Sequence, residues 1–202
     1  MTNNRLRIAA LAAILSVFTS SCNKEKVNLQ ADTARQIVGY YNLTNVTWEG
    51  NAVDVNGDGI SSNELYPQLS LLPLNAQRTD KAHVMNLSLD MSEGSVRLDL
   101  PVQGYSVSLN GQYPEDWIMG GSLTLSLSYE INSNGNIHVE QFDSFGLDRY
   151  DRRTEMSRIK NGDVTFDFDG HLCFKVGYTV YDFRTHELVD GIIQYTYLRT
   201  NQ

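Results

Sequence analysis

The stretch from Ser122 to Ile131, "SLTLSLSYEI", gives the clearest indication of the fold class. Every second residue is apolar, and the residues between them are serines, a threonine and a glutamate. Successive side chains of a β-strand point to opposite faces of a sheet, whereas a helix repeats its apolar face about every 3.6 residues. The stretch therefore predicts a strand with one buried face and one solvated face. Its predicted buried residues are Leu123, Leu125, Leu127, Tyr129 and Ile131.

The same alternation recurs along most of the chain. Runs with a period of two cover residues 38–48, 85–91, 96–102, 164–168, 172–180 and 193–197. In the run 85–91 the residues predicted to face the core are Met85, Leu87, Leu89 and Met91. Asn-Gly or Asp-Gly pairs, which tolerate the positive φ of tight hairpins, occur in residues 132–136, 160–163, 168–171 and 189–191.

Short strands joined by short turns predict an all-β, antiparallel fold. Such a meander must hide its two edge strands, and consecutive hairpins without long crossovers favour an up-and-down β-barrel of about 8–10 strands. Residues 61–72, "SSNELYPQLSLL", predict a short helix or turn after the first strand, ended by Pro67 or Pro73.

The N-terminus has the layout of a secretory signal. Arg5 and Arg7 precede an apolar run from Ile8 to Phe18, and small residues follow it. The run is too short for a membrane-spanning helix but suits a signal peptide. We therefore predict that residues 1–21 are a signal peptide.

The next residue, Cys22, ends the sequence "TSSC", which resembles the lipobox of bacterial lipoproteins. That resemblance implies acyl chains such as palmitate on Cys22. Each CH₂ group of such a chain that is buried in the bilayer contributes about 0.8 kcal/mol to the free energy of membrane binding. The expected location is the cell envelope, at the outer membrane. The chain has 2 cysteines, so lipid on Cys22 leaves Cys173 without an intramolecular partner. The polar residues 22–36 are predicted to be a tether, and residues 37–202 the barrel domain.

The charge of the chain argues against a nucleic-acid partner. The formal net charge is −8, and removal of Arg5 and Arg7 with the signal peptide makes it more negative. Phosphate neutralisation needs clustered lysines and arginines.

Three segments together resemble the lipocalin-like lipoproteins of Bacteroidota. They are "VGYYNLTNVTWEG" at 38–50, "DVNGDGISSNELY" at 54–66 and the terminal "GIIQYTYLR" at 191–199. In that group a strand with a Gly-x-aromatic pattern, here Gly39-Tyr40-Tyr41, precedes the barrel. The resemblance covers most of the chain after the signal peptide. It implies a lipocalin-like barrel and an envelope location, and it implies no particular activity.

The segment 54–66 has two interpretations. Oxygen ligands at positions 1, 3 and 5, a glycine at 6 and a backbone carbonyl at 7 are typical of an EF-hand-type calcium loop. Here Glu64 precedes the usual position 12 by one residue, and a strand precedes the loop. The alternative is a double turn built on the two Asn/Asp-Gly pairs. Both interpretations stay open. The candidate calcium ligands are Asp54, Asn56, Asp58, the carbonyl of Ile60, Ser62 and Glu64.

The sequence favours a binding protein over an enzyme. It contains no nucleophile elbow, phosphate-binding loop or dinucleotide fingerprint, and its histidines lack zinc spacing. The leading hypothesis is non-enzymatic binding of a small amphipathic ligand or a glycan. The alternatives are a hydrolase of glycans or lipids and a structural or adhesive envelope protein. Aromatic residues with a polar tip are the candidate ligand contacts: Tyr105, Tyr113, Trp117, Tyr129, Tyr178 and Tyr195.

Overall fold

The computed structural model describes residues 28–72, 80–104, 118–140, 162–167 and 169–200. These residues form two short helices and eight strands. The helices are α1 (Leu29–Ile37) and α2 (Leu65–Leu71). The strands are β1 (Gly39–Glu49), β2 (Lys81–Asn86), β3 (Glu93–Gly104), β4 (Met119–Ile131), β5 (Ile137–Val139), β6 (Gly162–Phe166), β7 (His171–Asp182) and β8 (Glu187–Arg199). The predicted short helix after the first strand is confirmed as α2.

The strands form one antiparallel sheet that is nearly closed into a barrel. Their order is β5-β4-β3-β2-β1-β8-β7-β6, so the first strand pairs with the last and the remaining neighbours follow chain order. The two edges of the sheet are β5 and β6. The prediction of an all-β, up-and-down barrel is therefore confirmed. The break in the barrel falls in the middle of the chain and not between its ends.

The alternating residues fill the interior as predicted. On β4, Leu125, Leu127, Tyr129 and Ile131 are buried, and the apolar residues of β7 and β8 join the same core. Along β1 the inward-facing positions change once from odd to even residue numbers. Tyr41 and Leu43 are buried, then Val46 and Trp48, because the pairing with β8 skips one residue between Leu43 and Asn45. Such a bulge adds one residue to one strand and lets both halves face the core.

Helix α1 covers the end of the barrel at which β1 begins, which we call the α1 end. Gln30 Nε2 donates to the carbonyl of Ile131 at 2.7 Å, and Thr33 Oγ1 donates to that of Gly135 at 3.2 Å. The guanidinium of Arg199 donates to the carbonyls of Gln36 and Val38, both at 2.7 Å, and so satisfies groups at the helix C-terminus. The second half of the predicted tether 22–36 is thus a helix that packs on the barrel.

The prediction that residues 85–91 are a strand is wrong for most of the run. Strand β2 ends at Asn86 and buries Ala82 and Val84, so its inward residues have even numbers. Leu87 and Leu89 lie beyond the strand, in the β2–β3 turn, and are exposed. The alternating pattern extends past the last residue that pairs with β3, and pattern alone does not show where pairing stops.

The prediction of a turn at residues 189–191 is also wrong, because these residues lie inside β8. A Cβ atom on Gly191 would lie 2.2 Å from Cζ2 of Trp48, so the glycine is required by the packing of an aromatic ring. The chain reverses earlier, at residues 183–186, where His186 has a φ of +58°. The predicted turns around Gly135 and Gly170 are confirmed, with φ values of +80° and +90°.

Candidate functional site

The candidate calcium loop lies at the opposite end of the barrel, which we call the loop end. It leaves β1 after Glu49, and an isolated bridge between Val53 and Ser62 closes its neck. Gly57 and Gly59 both have positive φ, at +77° and +82°. Glu64 lies outside this neck, where its backbone forms a bridge with Thr47.

Asp54 is the central residue of the loop and is buried. Its Oδ1 accepts from the backbone N–H of Asn56 at 3.3 Å and of Gly57 at 2.8 Å. Its Oδ2 accepts from the N–H of Gly59 at 2.8 Å. A single carboxylate therefore orders three backbone groups, as an Asx-type turn residue does.

Oxygens of three further candidate ligands, Asp58, Ile60 and Ser62, also accept hydrogen bonds. Asp58 Oδ1 accepts from the N–H of Ile60 at 2.8 Å, and Asp58 Oδ2 from the amide of Asn56 at 3.1 Å. The carbonyl of Ile60 accepts from Gln68 Nε2 at 2.7 Å, and Ser62 Oγ from the N–H of Glu64 at 2.9 Å. These bonds hold the loop in its turn conformation.

The loop geometry is compatible with both interpretations of the sequence. The bonds from Gly59 to Asp54 and from Ile60 to Asp58 order the backbone in a double turn. A carboxylate oxygen has lone pairs left for a cation after it accepts one hydrogen bond. Within the described residues no group of three or more His, Cys, Asp or Glu side chains is arranged to hold a metal ion. Calcium binding therefore stays a prediction.

Buried polar groups join the loop to the barrel. Asp182 Oδ1 accepts from the N–H of Asp54 at 3.0 Å, and the N–H of Phe183 donates to the carbonyl of Asp54 at 2.9 Å. Gln103 Nε2 donates to the carbonyls of Val55 at 2.8 Å and Tyr181 at 2.9 Å. The loop thus covers the loop end of the barrel and is tied to it by hydrogen bonds, although the buried hydroxyl of Ser61 meets no hydrogen-bond partner among the described residues.

Three buried tyrosines of β7 and β8 extend through the barrel interior, and their hydroxyls donate hydrogen bonds to backbone carbonyls along one edge of β3. The hydroxyls of Tyr197, Tyr195 and Tyr178 donate to the carbonyls of Asp99, Pro101 and Gln103 at 2.8, 3.0 and 2.7 Å. Strand β2 pairs with β3 only as far as Leu98, so beyond that point no strand of the described residues pairs with β3 on this side. The tyrosine hydroxyls supply the hydrogen bonds that a neighbouring strand would supply.

The structure places the candidate ligand aromatics as follows. Tyr129, Tyr178 and Tyr195 are buried in the barrel core, and the hydroxyls of the last two bind β3. All three rings belong to the buried core cluster of the barrel. Tyr105, Tyr113 and Trp117, and the candidate lipidation residue Cys22, lie outside the described residues.

Burial shifts the acidity of several tyrosines. Removal from water raises the pKa of Tyr41 to about 12, and the Tyr41 hydroxyl donates to the carbonyl of Ile37 at 2.5 Å. Burial also raises the pKa of Tyr197 well above its ordinary value, and that of Tyr129. Desolvation disfavours the charged phenolate, so these tyrosines ionise at a more alkaline pH than exposed tyrosines do.

A groove lies where the barrel is not closed, between β5 and β6. We call it the seam groove. Its volume is about 290 Å³, and it is lined by Gly135, Asn136, Ile137, Val164, Thr165 and Phe166. Valine, isoleucine and phenylalanine side chains make part of the wall apolar, while an asparagine and a threonine add polar groups. No local sequence pattern indicates this groove, because strand pairing decides which two strands form its sides.

Comparison of the chain with protein-family models, with curated proteins and with solved structures found no match. In the described part of the chain, no helix combines the length and apolar character needed to cross a membrane.

Proposed function

We propose that this protein is a lipid-anchored protein of the cell envelope that binds a small amphipathic ligand in the seam groove without transforming it. The observation that carries the proposal is the mixed lining of the groove. Ile137, Val164 and Phe166 offer apolar contacts, and Asn136 and Thr165 offer hydrogen-bonding groups. Ligand sites in proteins are mostly apolar concavities with a few polar groups that fix orientation.

The barrel interior is a weaker candidate for the ligand site than the groove. Its tyrosine rings are packed in the core, and the hydroxyls of Tyr178, Tyr195 and Tyr197 are used by β3. A ligand that entered the interior would have to break these hydrogen bonds and leave buried carbonyls unsatisfied, which costs roughly 1–3 kcal/mol each.

The lining also favours binding over catalysis. None of the six lining residues has a side chain that titrates near neutral pH or acts as an acidic or basic catalyst. A glycosidase needs two carboxyl groups across the substrate, and other hydrolases need a nucleophile next to a base. A groove of about 290 Å³ is near the lower limit of typical ligand pockets, so the expected ligand is small.

The anchor in this proposal rests on the sequence, through the signal-like residues 1–21 and Cys22. Replacement of Cys22 by alanine should leave an unlipidated chain that no longer fractionates with membranes. Unchanged membrane fractionation of this variant would contradict the anchor and leave the groove proposal standing.

Native mass spectrometry of the protein purified from its own envelope tests the groove. We expect a copurified small molecule in the parent and its loss in Val164→Trp, which fills the groove. Ile192→Trp is the matched control, since Ile192 is an exposed residue of β8 outside the groove. Equal retention of the ligand in both variants, or no bound molecule in the parent, would contradict the proposal.

A further inference from the structure

The most exposed large apolar side chain of the described residues, Leu89, lies in the β2–β3 turn together with a second exposed leucine, Leu87. Leu89 has 106% and Leu87 70% of its reference surface accessible to solvent. Single exposed leucines are ordinary on protein surfaces. Two in one turn, at positions where the sequence pattern predicted core residues, need a physical explanation.

The turn that carries these leucines is held by its own hydrogen bonds. The N–H of Leu87 donates to the carbonyl of Glu93 at 2.9 Å, and the N–H of Glu93 donates to Ser88 Oγ at 2.9 Å. Asp90 Oδ1 accepts from the N–H and the hydroxyl of Ser92 at 3.2 and 2.7 Å. A loop can enter the apolar part of a bilayer only if its backbone groups find partners within the protein. This turn meets most of that requirement.

The turn belongs to the α1 end of the barrel. The carbonyl of Ser92, in the turn, accepts from the N–H of Ile131 at 2.6 Å, and the carbonyl of Ile131 accepts from Gln30 of α1. Asn28 caps the start of α1, where its side chain accepts from the N–H of Ala31. The chain therefore enters the barrel at the same end that displays Leu87 and Leu89.

Chain length links this end to the proposed anchor. Six residue steps separate Cys22 from Asn28, and each step spans at most about 3.6 Å, so the connection reaches about 20 Å. Strand β4 has 13 residues. At about 3.3 Å per residue it is roughly 40 Å long. A lipid on Cys22 can thus bring the bilayer to the α1 end, whereas the loop end is out of its reach in an upright barrel.

We propose that the α1 end of the barrel rests on a lipid bilayer, with Leu87 and Leu89 inserted at the boundary between headgroups and acyl chains. The inference rests on the proposed lipid anchor and adds an orientation and a second membrane contact. The leucines bury apolar surface in the membrane, and the lipid anchor raises the effective concentration of this turn at the bilayer surface. The carboxylates of Asp90 and Glu93 flank the leucines, so insertion is shallow and zwitterionic lipids are preferred over anionic ones.

This orientation also gives the seam groove a position relative to the membrane. Gly135 and Asn136, in the β4–β5 turn, line the groove, and Gly135 lies against α1. The groove therefore reaches the end that faces the bilayer. An amphipathic ligand dissolved in the membrane would meet the groove without crossing the surrounding water.

Site-specific quenching tests the orientation in the full-length lipidated protein, reconstituted in phosphatidylcholine–phosphatidylethanolamine vesicles. In a Cys173→Ser background, Leu89→Cys carries an environment-sensitive fluorophore, and nitroxide-labelled lipids are the quencher. Ile60→Cys is the matched control, because Ile60 is an apolar residue with 65% exposure at the loop end. We expect at least about threefold stronger quenching at position 89 than at position 60. Equal quenching at the two positions, or stronger quenching at position 60, overturns the proposal.

A second readout separates this proposal from the anchor on which it rests. Vesicle flotation and the number of reactive thiols report lipidation of Cys22. A chain that floats and shows one reactive thiol but no quenching at position 89 retains the anchor and overturns the docking. A chain with a free Cys22 that does not float overturns both. Leu87→Ser with Leu89→Ser should weaken the residual binding of the Cys22→Ala chain, which is too weak for fractionation and is measured at excess vesicle lipid, by about tenfold or more, given the apolar area of two leucines.

Discussion

At the scale of single residues, Asp54 organises the loop end of the barrel. Its carboxylate accepts three backbone N–H groups, and its own N–H and carbonyl bind Asp182 and Phe183. A buried carboxylate with this many partners is satisfied without a cation. Substitution of Asp54 by alanine would remove the acceptor of the three backbone N–H groups of Asn56, Gly57 and Gly59. That variant alone therefore cannot separate loop stability from calcium binding.

Calcium binding is tested more cleanly at Asp58 and Glu64. If the loop binds calcium, millimolar calcium should raise the melting temperature, by roughly 2.7 kcal/mol of stability when free calcium is 100 times its dissociation constant. Asp58→Asn and Glu64→Gln keep the side-chain shape and remove a ligand charge, so both should reduce the gain. Differential scanning calorimetry with calcium, magnesium or a chelator measures it. Identical melting curves in calcium and chelator would identify the loop as a double turn.

The hydrogen bonding of the buried tyrosines predicts how much each hydroxyl contributes to the free energy of unfolding. The hydroxyl of Tyr197 donates to the carbonyl of Asp99, whereas that of Tyr129 meets no hydrogen-bond partner among the described residues. Tyr197→Phe should therefore lower the free energy of unfolding by about 1–3 kcal/mol, since it removes a hydrogen bond made to a buried carbonyl. Tyr129→Phe should change it by less than about 0.5 kcal/mol or raise it. Urea unfolding of the two variants measures the difference, and equal losses would contradict the assignment.

At the scale of elements, β3 shows how one strand serves two kinds of neighbour. Its first half pairs with both β2 and β4, and its second half pairs with β4 and receives tyrosine hydroxyls on the other side. Pro101 lies in the second half, and a proline has no N–H to leave unpaired on the side without a strand. Both faces of the second half are buried, from Leu98 to Gly104. This half of β3 joins the core to the loop end.

The contact between Gly191 of β8 and Trp48 of β1 predicts that a methyl group added at position 191 destabilises the protein. A Cβ on Gly191 would meet the ring of Trp48 at 2.2 Å, and the ring is fixed by its N–H, which donates to the carbonyl of Asn51 at 3.0 Å. Gly191→Ala should destabilise the protein by about 1–3 kcal/mol through overpacking. Gly59→Asn is the control, because Gly59 has a φ of +82° and no neighbour within 4 Å, and asparagine tolerates that conformation. Urea unfolding that shows equal effects of both changes would contradict the role given to Trp48.

At the scale of the whole molecule, the pairing of the first strand with the last joins the two halves of the sheet into a nearly closed barrel. The pairs run from Tyr41 with Arg199 to Glu49 with Ile192, so the closure joins residues about 150 positions apart in sequence. Loss of this pairing would expose the tyrosine-rich core.

This arrangement predicts unfolding at alkaline pH. Tyr41 and Tyr197 have folded pKa values raised above the ordinary value of 10.0, to about 12 for Tyr41. A raised folded pKa contributes stability that is present below the unfolded pKa and is lost as the pH rises through the folded value. The melting temperature should thus fall above a pH of about 10. Tyrosinate absorbance should rise together with unfolding, and Tyr41→Phe should make the fall less steep. Full ionisation of all tyrosines in a folded barrel would contradict the prediction.

The sequence by itself determined the strand class, most of the inward-facing residues and the loop chemistry. The alternation of apolar and polar residues on β4, β7 and β8 is a local property of the chain, because the sequence of each strand by itself shows which of its residues are buried. The positive-φ glycines of the loop and of two hairpins are local for the same reason. From these signals the up-and-down barrel followed.

Only the tertiary structure decided where the strands stop and what the glycines and tyrosines do. Leu87 and Leu89 continue an apolar pattern into a turn, because the last pairing partner of β2 on β3 is Gly94. Gly191 looks like a turn residue and is instead a contact for Trp48. The tyrosine hydroxyls bind β3 beyond Leu98, where its pairing with β2 stops, and the seam groove exists because β5 and β6 are the two edges of the sheet. Each of these features depends on a contact between residues distant in sequence, which no local pattern contains.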